Sequence, residues 1–389
     1  MGNQFHVAII GGGLAGAALA NALAHIPQVD VYVFESAPTF SERGAAVGLT
    51  KNAQLALSQI LSSSADVVAK AGGMPMNSSR VILVRNIPYT QVSSGPEAGT
   101  IVFDLAADDH EMIVHRASLL RELLAPLPKE ALHPNKKLTA INPNESGFEI
   151  NFQDGIVYYT VREHILRGIV ADEQHYASPA GFWDCRNVVP FEKAKSILGE
   201  KYFDCVVSGI EEDPSTSRDR KRPLTQDTLR DSLSSWLGGP IADGMISLIC
   251  DQPGPHKYSQ WEHKSTSTHV RGRVCLMGDA AHATTPWQGS GVGLAIEDAI
   301  VLGTLFANIS SLSEINAAFE AYDLLRRPRC QRVIDSSRET GQILCGRVDL
   351  HANELRGLLA PRWNFIFELD MESHKREALD KLRDIQQKS

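Results

Sequence analysis

The chain has 389 residues, 43% of them hydrophobic and 22% charged, with a formal net charge of −8. That length exceeds one small domain and allows a large core, and the negative charge argues against general affinity for nucleic acid or an anionic membrane. The six cysteines (Cys185, Cys205, Cys250, Cys275, Cys330 and Cys345) contain no CxxC pair, so reduced thiols in a cytoplasmic protein are expected, with neither a disulfide framework nor a zinc or other metal site. No secretory signal is expected ahead of the first strand, and no apolar run is long enough to cross a bilayer.

Phe5 to Ile10 is a short apolar run and reads as a buried parallel strand. Leu14 to Ala24 is rich in Ala and Leu and reads as a helix with a close-packing face. Val29 to Glu35, VDVYVFE, reads as a second strand and completes a βαβ unit. Between strand and helix, Gly11, Gly13 and Gly16 fit GxGxxG. In that pattern the first glycine makes the tight turn, the second lets a pyrophosphate reach the backbone, and the third brings helix and sheet together. Glu35 follows Gly16 by nineteen residues, where an acid accepts hydrogen bonds from an adenosine ribose. The rival reading is a glycine-rich turn with no ligand. The motif alone does not choose between FAD and NAD, but the acid disfavours the 2′-phosphate of NADP at this site.

Further along, Ser78 to Val84 and Thr100 to Leu105 read as strands, and a helix carrying Arg116 is expected from Ile113 to Leu124. Leu138 to Phe152 reads as two strands of a meander around NPNESG. The polar run EEDPSTSRDRKRPLTQD reads as a solvated loop entering a helix at Thr225. From Arg273, RVCLMGD returns to buried parallel-strand character, a long helix follows from about Gly293, and the remainder reads as helical with a charged amphipathic end.

The segment GRVCLMGDAAHATTPWQGSGVGLAIEDA is a second cofactor signature. A strand ends at Gly278-Asp279, and a turn through Pro286 runs into Gly289-Ser290-Gly291-Val292-Gly293 and a helix. A simple dehydrogenase needs no such second element, whereas a flavin with a ribityl chain does. Asp279 can accept from ribityl hydroxyls, and the helix start can offer N–H groups to the pyrimidine edge, where charge collects on reduction. His282 reads as a structural side chain of this loop rather than a base, and Trp287 as either active-site wall or core filler.

Together GGGLAG, Glu35, RGAAVGLTKNA, VHRASLLREL, WEHKS and the GD segment resemble, in order and over most of the chain, the salicylate-hydroxylase-like FAD-dependent aromatic hydroxylases, particularly those of fungal secondary metabolism. The resemblance implies an α/β, Rossmann-like FAD-binding domain of the glutathione-reductase type, with an inserted β-sheet substrate domain and C-terminal helices. The expected division is 1–75, 106–170 and 263–310 for the FAD domain, 76–105 and 171–262 for substrate-domain strands, and 311–389 for the helical end. It implies FAD contacts at Gly11, Gly13, Gly16, Glu35, Arg43, Gly48, Arg116, Asp279, Pro286, Gly291 and Val292, the last through its backbone. CRNVVPFEKA resembles a family strand whose arginine faces the substrate, which maps to Arg186. The implied reaction is hydroxylation of a small phenolic or phenolic-acid ring, with NAD(P)H as co-substrate and O2 as oxygen source.

Two stretches depart from the family. Its third fingerprint, a strand ending in Ala-Asp-Gly followed by Ser and Arg, has only Asp154-Gly155 and Arg162 as counterparts, within NFQDGIVYYTVREHIL. This segment reads as the preceding hairpin turn joined directly to the following helix, and Asp154 reads equally as a plain turn residue. A second join lies at GEKYFDCVVSGI, where a substrate-side tyrosine has no clear counterpart and Tyr202 is a poor substitute. The alternatives left open are another flavin oxidation, such as epoxidation of a prenyl or terpenoid chain, and a degenerate flavoprotein weakened by these gaps.

Overall fold

A computed structural model describes residues 5–41, 46–75, 79–82, 101–105, 111–144, 147–160, 177–187, 189–199, 207–211, 220–233, 240–345 and 352–388. The first unit is β1 (Phe5–Ile10), α1 (Leu14–Ala24) and β2 (Val29–Phe34), with β1 and β2 parallel and in register from Phe5↔Val29 to Ile10↔Phe34. Alternation decides what covers each face. Phe5, Val7 and Ile9 of β1 join the main core beneath the helices, whereas Ala8 packs with Phe34, Ile150 and Phe152 on the other side. The sheet is therefore buried on both faces, which is why its strands are almost wholly apolar.

Next come β3 (Ala46–Leu49), α2 (Lys51–Ile60), α3 (Ser64–Lys70), β4 (Met74–Pro75), β5 (Ser79–Ile82), β6 (Ile101–Leu105) and β7 (Met112–His115). β3, β7 and β4 form an antiparallel sheet, and β5 pairs with β6. Helix α4 (Arg116–Leu124) starts three residues later than expected: Ile113 and Val114 are β-branched, and they extend into β7 against β3 instead. Then β8 (Leu132–His133) adds to the open side of β2, and β9 (Leu138–Asn144), β10 (Gly147–Phe152) and β11 (Val157–Thr160) form the meander. Asp154 is a turn residue in it. Its Oδ1 accepts the Ile156 N–H at 3.1 Å, its Oδ2 bonds Lys136 Nζ, and Gly155 has φ +78°.

The next layer is β12 (Ser178–Cys185), α5 (Phe191–Leu198), β13 (Val207–Ile210), β14 (Lys221–Pro223), α6 (Gln226–Ser232), α7 (Pro240–Cys250) and β15 (His256–Glu262), with sheet order β13–β12–β15–β14. Thr225 caps α6 as expected, in a reciprocal capping box with Thr228, but Lys221–Pro223 pairs with β15 rather than remaining loop. Trp183 and Cys185 pack outward against Leu198, Leu229 and Ile246, so α5 to α7 cover one face of this sheet. Tyr202, Cys205 and the expected second join lie outside the described residues, as does Arg162.

The remaining elements are β16 (Val270–Arg271), β17 (Val274–Cys275), α8 (Asp279–His282), α9 (Gly291–Phe306), α10 (Ile315–Leu344), α11 (Ala352–Leu359), α12 (Asn364–Phe367) and α13 (Met371–Gln386). The segment before Gly278-Asp279 corrects an expectation. Val274 and Cys275 are buried, yet they pair antiparallel with β16 and not within the parallel sheet. Among the described residues β1 bonds only β2. Among the described residues the GD segment pairs locally, with β16.

Candidate functional site

Three glycine-bearing loops meet at the upper ends of β1, β3 and β17. The first is the turn after β1. Gly11 has φ +115° and its N–H donates to Phe34 O at 2.8 Å. A Cβ on Gly16 would lie 2.0 Å from Gly11 O, so only glycine lets α1 sit this close to the turn. Gly13 is the N-cap of α1 and offers no side-chain cap, which leaves first-turn N–H groups directed outward. Glu35 follows β2 and folds back over this turn. Its Oε2 accepts from Gly12 N–H at 2.8 Å and its Oε1 from Ala37 N–H at 2.8 Å. Oε1 also accepts from the Ser36 hydroxyl at 3.0 Å, so Oε2 is the oxygen that retains an acceptor position for a ribose hydroxyl.

The second loop follows β17. Gly278 has φ +58°, and a Cβ there would meet Ala15 Cβ of α1 at 2.8 Å. This contact brings the GD turn against the glycine turn, a juxtaposition the sequence pattern implied. Asp279 is exposed at the start of α8, its carboxylate bonded to no described residue. The third loop joins β3 to α2. Gly48 faces open space, with nothing within 4 Å of a Cβ, and the start of α9 approaches this loop where Gly293 lies against Ala53 and Thr50. Pro286 opens a 3-10 turn, Gly291 and Val292 form the first turn of α9, and the N-cap Ser290 hydroxyl bonds Gln288 O instead of capping the helix. Arg116 heads α4, half-buried. Arg43 lies outside the described residues.

Beneath the GD turn lies a buried ionic network that the sequence reading missed. Asp298, fully buried in α9, accepts from Gly278 N–H at 2.9 Å, pairs with His282 Nε2 at 2.5 Å and takes Arg326 Nε at 2.9 Å. Its neighbour Glu297 pairs with Arg326 at 2.8 Å and Arg329 at 2.7 Å, and accepts from Asn52 Nδ2 at 2.8 Å. Burial opposes ionisation of both acids, but the cations outweigh it: Glu297 is held at about 2, by Arg326 and then Arg329, and Asp298 lower still, by His282 and Arg326. Burial likewise opposes charge on His282, but Asp298 holds its imidazole well above the usual histidine range. His282 is thus structural, locked beneath the turn. The signal was present in the sequence as two acids, Glu297-Asp298, inside an otherwise apolar helix.

The inner face of the β12–β15 sheet turns toward this loop. Phe182 sets its ring edge-on to Trp287 at 5.4 Å, and Trp287 packs where α10 carries Gly341. Trp287 therefore forms wall between the loop and the sheet. Thr285 and Ser337 exchange hydrogen bonds at 2.7 and 2.9 Å, which fixes the same loop to α10. Arg186, just beyond β12, is exposed and lies over the Tyr258 ring at 5.3 Å.

These residues fit flavin adenine dinucleotide. There are two uncapped helix starts for its anionic groups, an acid at the end of β2, a carboxylate without a described partner at the GD turn, and open space at Gly48 between them. Comparison with known proteins agrees. A family profile described as FAD binding domain matches residues 242–337. The chain is 30% identical to 6-methylsalicylate 1-monooxygenase of Aspergillus terreus, over 99% of this chain and 94% of that protein. It is 27% identical to a salicylate hydroxylase of Pseudomonas putida, over 97% and 95%. In fold it is similar to a salicylate hydroxylase substrate complex, with a TM-score of 0.76 at 23% identity over 97% of this chain and 98% of that one. The chain belongs to the salicylate-hydroxylase-like FAD-dependent monooxygenases. The alignment with the Aspergillus relative runs over 431 positions against 389 residues, so this chain skips at least 42 of them.

Proposed function

We propose that the protein hydroxylates a small phenolic aromatic acid, with NAD(P)H as electron donor and O2 as oxygen source, in the cytoplasm and in the service of secondary metabolism. The observation carrying this reading is the end-to-end likeness to 6-methylsalicylate 1-monooxygenase, combined with an aromatic wall, Phe182 and Trp287, between the GD loop and the substrate sheet. When bound, FAD supplies the hydride acceptor and the ring that activates oxygen. The chain's own residues hold and shield. The first-turn N–H groups after Gly13 take the pyrophosphate, with Gly11 and Gly16 shaping the turn, while Glu35 takes the adenosine ribose and Asp279 the ribityl hydroxyls. Arg116, Gly48 and Pro286 would complete the cradle, with Arg43 assigned to it from the family resemblance alone, and the N–H groups of Gly291 and Val292 would serve the pyrimidine edge. Arg186, a planar cation braced on Tyr258, orients the substrate carboxylate at the mouth.

The test is the absorbance spectrum of the purified protein, followed by NAD(P)H oxidation with a panel of hydroxybenzoates that includes 6-methylsalicylate. Hydroxylated product from the panel is expected. Turnover of a terpenoid panel alone would replace this reading with epoxidation. A second reading, a flavoprotein with little activity, is favoured by the skipped positions. Purified protein without a flavin spectrum, which added FAD fails to restore, would establish it.

A further inference from the structure

The inner face of the substrate sheet carries a polar pair with no role in the scheme above. Asp184 lies two residues from Phe182 on β12, on the same face by strand alternation and some 7 Å along the strand. Phe182 touches Trp287, so this face looks toward the GD loop. Asp184 is 7% exposed and Gln260 of β15 is 5% exposed. The two meet at 3.4 Å, Gln260 Nε2 donating to Asp184 Oδ2. That leaves Asp184 Oδ1 and Gln260 Oε1 buried and without a hydrogen-bond partner. A lone unsatisfied buried oxygen is destabilising, and two adjacent ones among apolar and aromatic neighbours point to a donor that arrives with a ligand. The charged or titratable neighbours are Arg186 on the same strand and Tyr258 and Glu262 on β15, with Glu262 occupied by Arg338 of α10 at 2.7 Å.

We infer that Asp184 and Gln260 form the acceptor site for the substrate's phenolic hydroxyl, and that Asp184 takes its proton. This rests on the phenolic-acid reading above. In the step, the phenol O–H bond breaks, a new O–H bond forms on Asp184 Oδ1, and the electron pair stays on the phenolate oxygen. No electron is transferred, and the proton returns to the product phenol after oxygen transfer. The phenolate is the electron-rich ring that an electrophilic oxygen needs. Burial raises the Asp184 carboxyl above the usual carboxylate range, against the pull of Arg186, and a stronger base is better matched to a phenol. Gln260 holds the carboxyl in place and lends its carbonyl oxygen as a second acceptor. With Arg186 at the end of the same strand, the site recognises two groups at once: an anionic carboxylate at the mouth and a hydroxyl deeper in.

The test uses the FAD-loaded enzyme with 6-methylsalicylate and its O-methyl ether. Asp184→Asn should keep its FAD and bind 6-methylsalicylate within about fivefold of wild type. Its kcat for hydroxylated product should fall about 10²-fold or more, the range for loss of a general base, while NAD(P)H oxidation without product persists. The difference spectrum of bound 6-methylsalicylate should show the phenolate band in wild type and the neutral phenol in Asp184→Asn, with partial recovery in Asp184→Glu. Gln260→Met should raise KM more than it lowers kcat, and the methyl ether should bind wild type without forming product. If Asp184→Asn loses its FAD, Asp184→Glu and Gln260→Met carry the same readouts. Product formation within threefold of wild type, or an unchanged phenolate band, overturns the assignment while leaving the phenolic-acid reading intact. If the wild type hydroxylates none of the hydroxybenzoates, that reading falls, and the assignment with it.

Discussion

Replacing Arg326 by Met tests whether the network beneath the GD turn holds the fold. The guanidinium is fully buried and makes five contacts: Asp298 Oδ1 at 2.9 Å, Glu297 Oε2 at 2.8 Å, Leu294 O at 3.1 Å, His374 Nε2 at 3.1 Å and Cys330 Sγ at 3.7 Å. Removing one partner of a buried ion pair typically costs about 3–5 kcal/mol, because the other charge stays buried. Here both acids keep partners: Glu297 retains Arg329 and Asn52, and Asp298 retains His282 and the Gly278 N–H. The loss therefore belongs at the lower end, about 3 kcal/mol, which is still a large part of a typical 5–15 kcal/mol. Urea denaturation of Arg326→Met and wild type measures it, with Lys381→Ala as control. Lys381 makes a solvent-exposed pair with Glu377 at 3.3 Å, worth about 0.5 kcal/mol or less. Because Asp298 also positions the Gly278 N–H, Arg326→Met should copurify with less FAD. An Arg326→Met protein within about 1 kcal/mol of wild type would refute the network as a structural keystone.

Glu35→Ala and Asp279→Ala should each weaken FAD by on the order of 1.5–3 kcal/mol, the value of a charge-assisted hydrogen bond; flavin fluorescence titration checks this, and unchanged affinity in both would remove the two-loop cradle. His269 and His374 sit at about 4 in the folded protein, lowered first by burial and then by His282 and Arg326 respectively. Unfolded imidazoles titrate near 6.5, so the unfolded chain binds more protons between pH 6.5 and 4, and these two residues reduce stability as pH falls through that window. Burial of Asp184 and Glu262 acts in the opposite sense, so the readout is the difference between wild type and the His269→Gln/His374→Gln double variant, whose stability should vary less with pH. Inserting a family-like strand with an Ala-Asp-Gly turn after Thr160 should raise bound FAD and soluble yield; equal values in both proteins would show that the chain closes its sheet without it.

The first unit was legible because its signals are local. Apolar runs set β1 and β2, small residues set α1, and glycines fall where a Cβ would strike backbone, as at Gly16. The GD turn was legible for the same reason, and Gly278 against Ala15 makes it one site with the first turn. What escaped depends on distant partners. Glu297 and Asp298 read as interruptions of an apolar helix until Arg326 and Arg329 arrive from α10, some thirty residues later. Asp184 and Gln260 are 76 residues apart and are joined only by the register of β12 with β15. The start of α4 was misplaced because Ile113 and Val114 suit a helix face and a strand alike, and only β3 decides between them.

The GD segment shows what holds the cofactor turn. Its residues kept strand character: Val274 and Cys275 are buried, the first against the meander and the second in the main core. Their described ladder partner is β16. The geometry of the turn does not run through that ladder. Gly278 is held from below by Asp298, from the side by Ala15, and through His282 by the same carboxylate, all from helices α1 and α9. The loop beyond is held by Ser337 of α10. The cofactor turn is therefore positioned by helix packing and buried charge, so a change in the strand ladder beside it bears on stability before it bears on the turn itself.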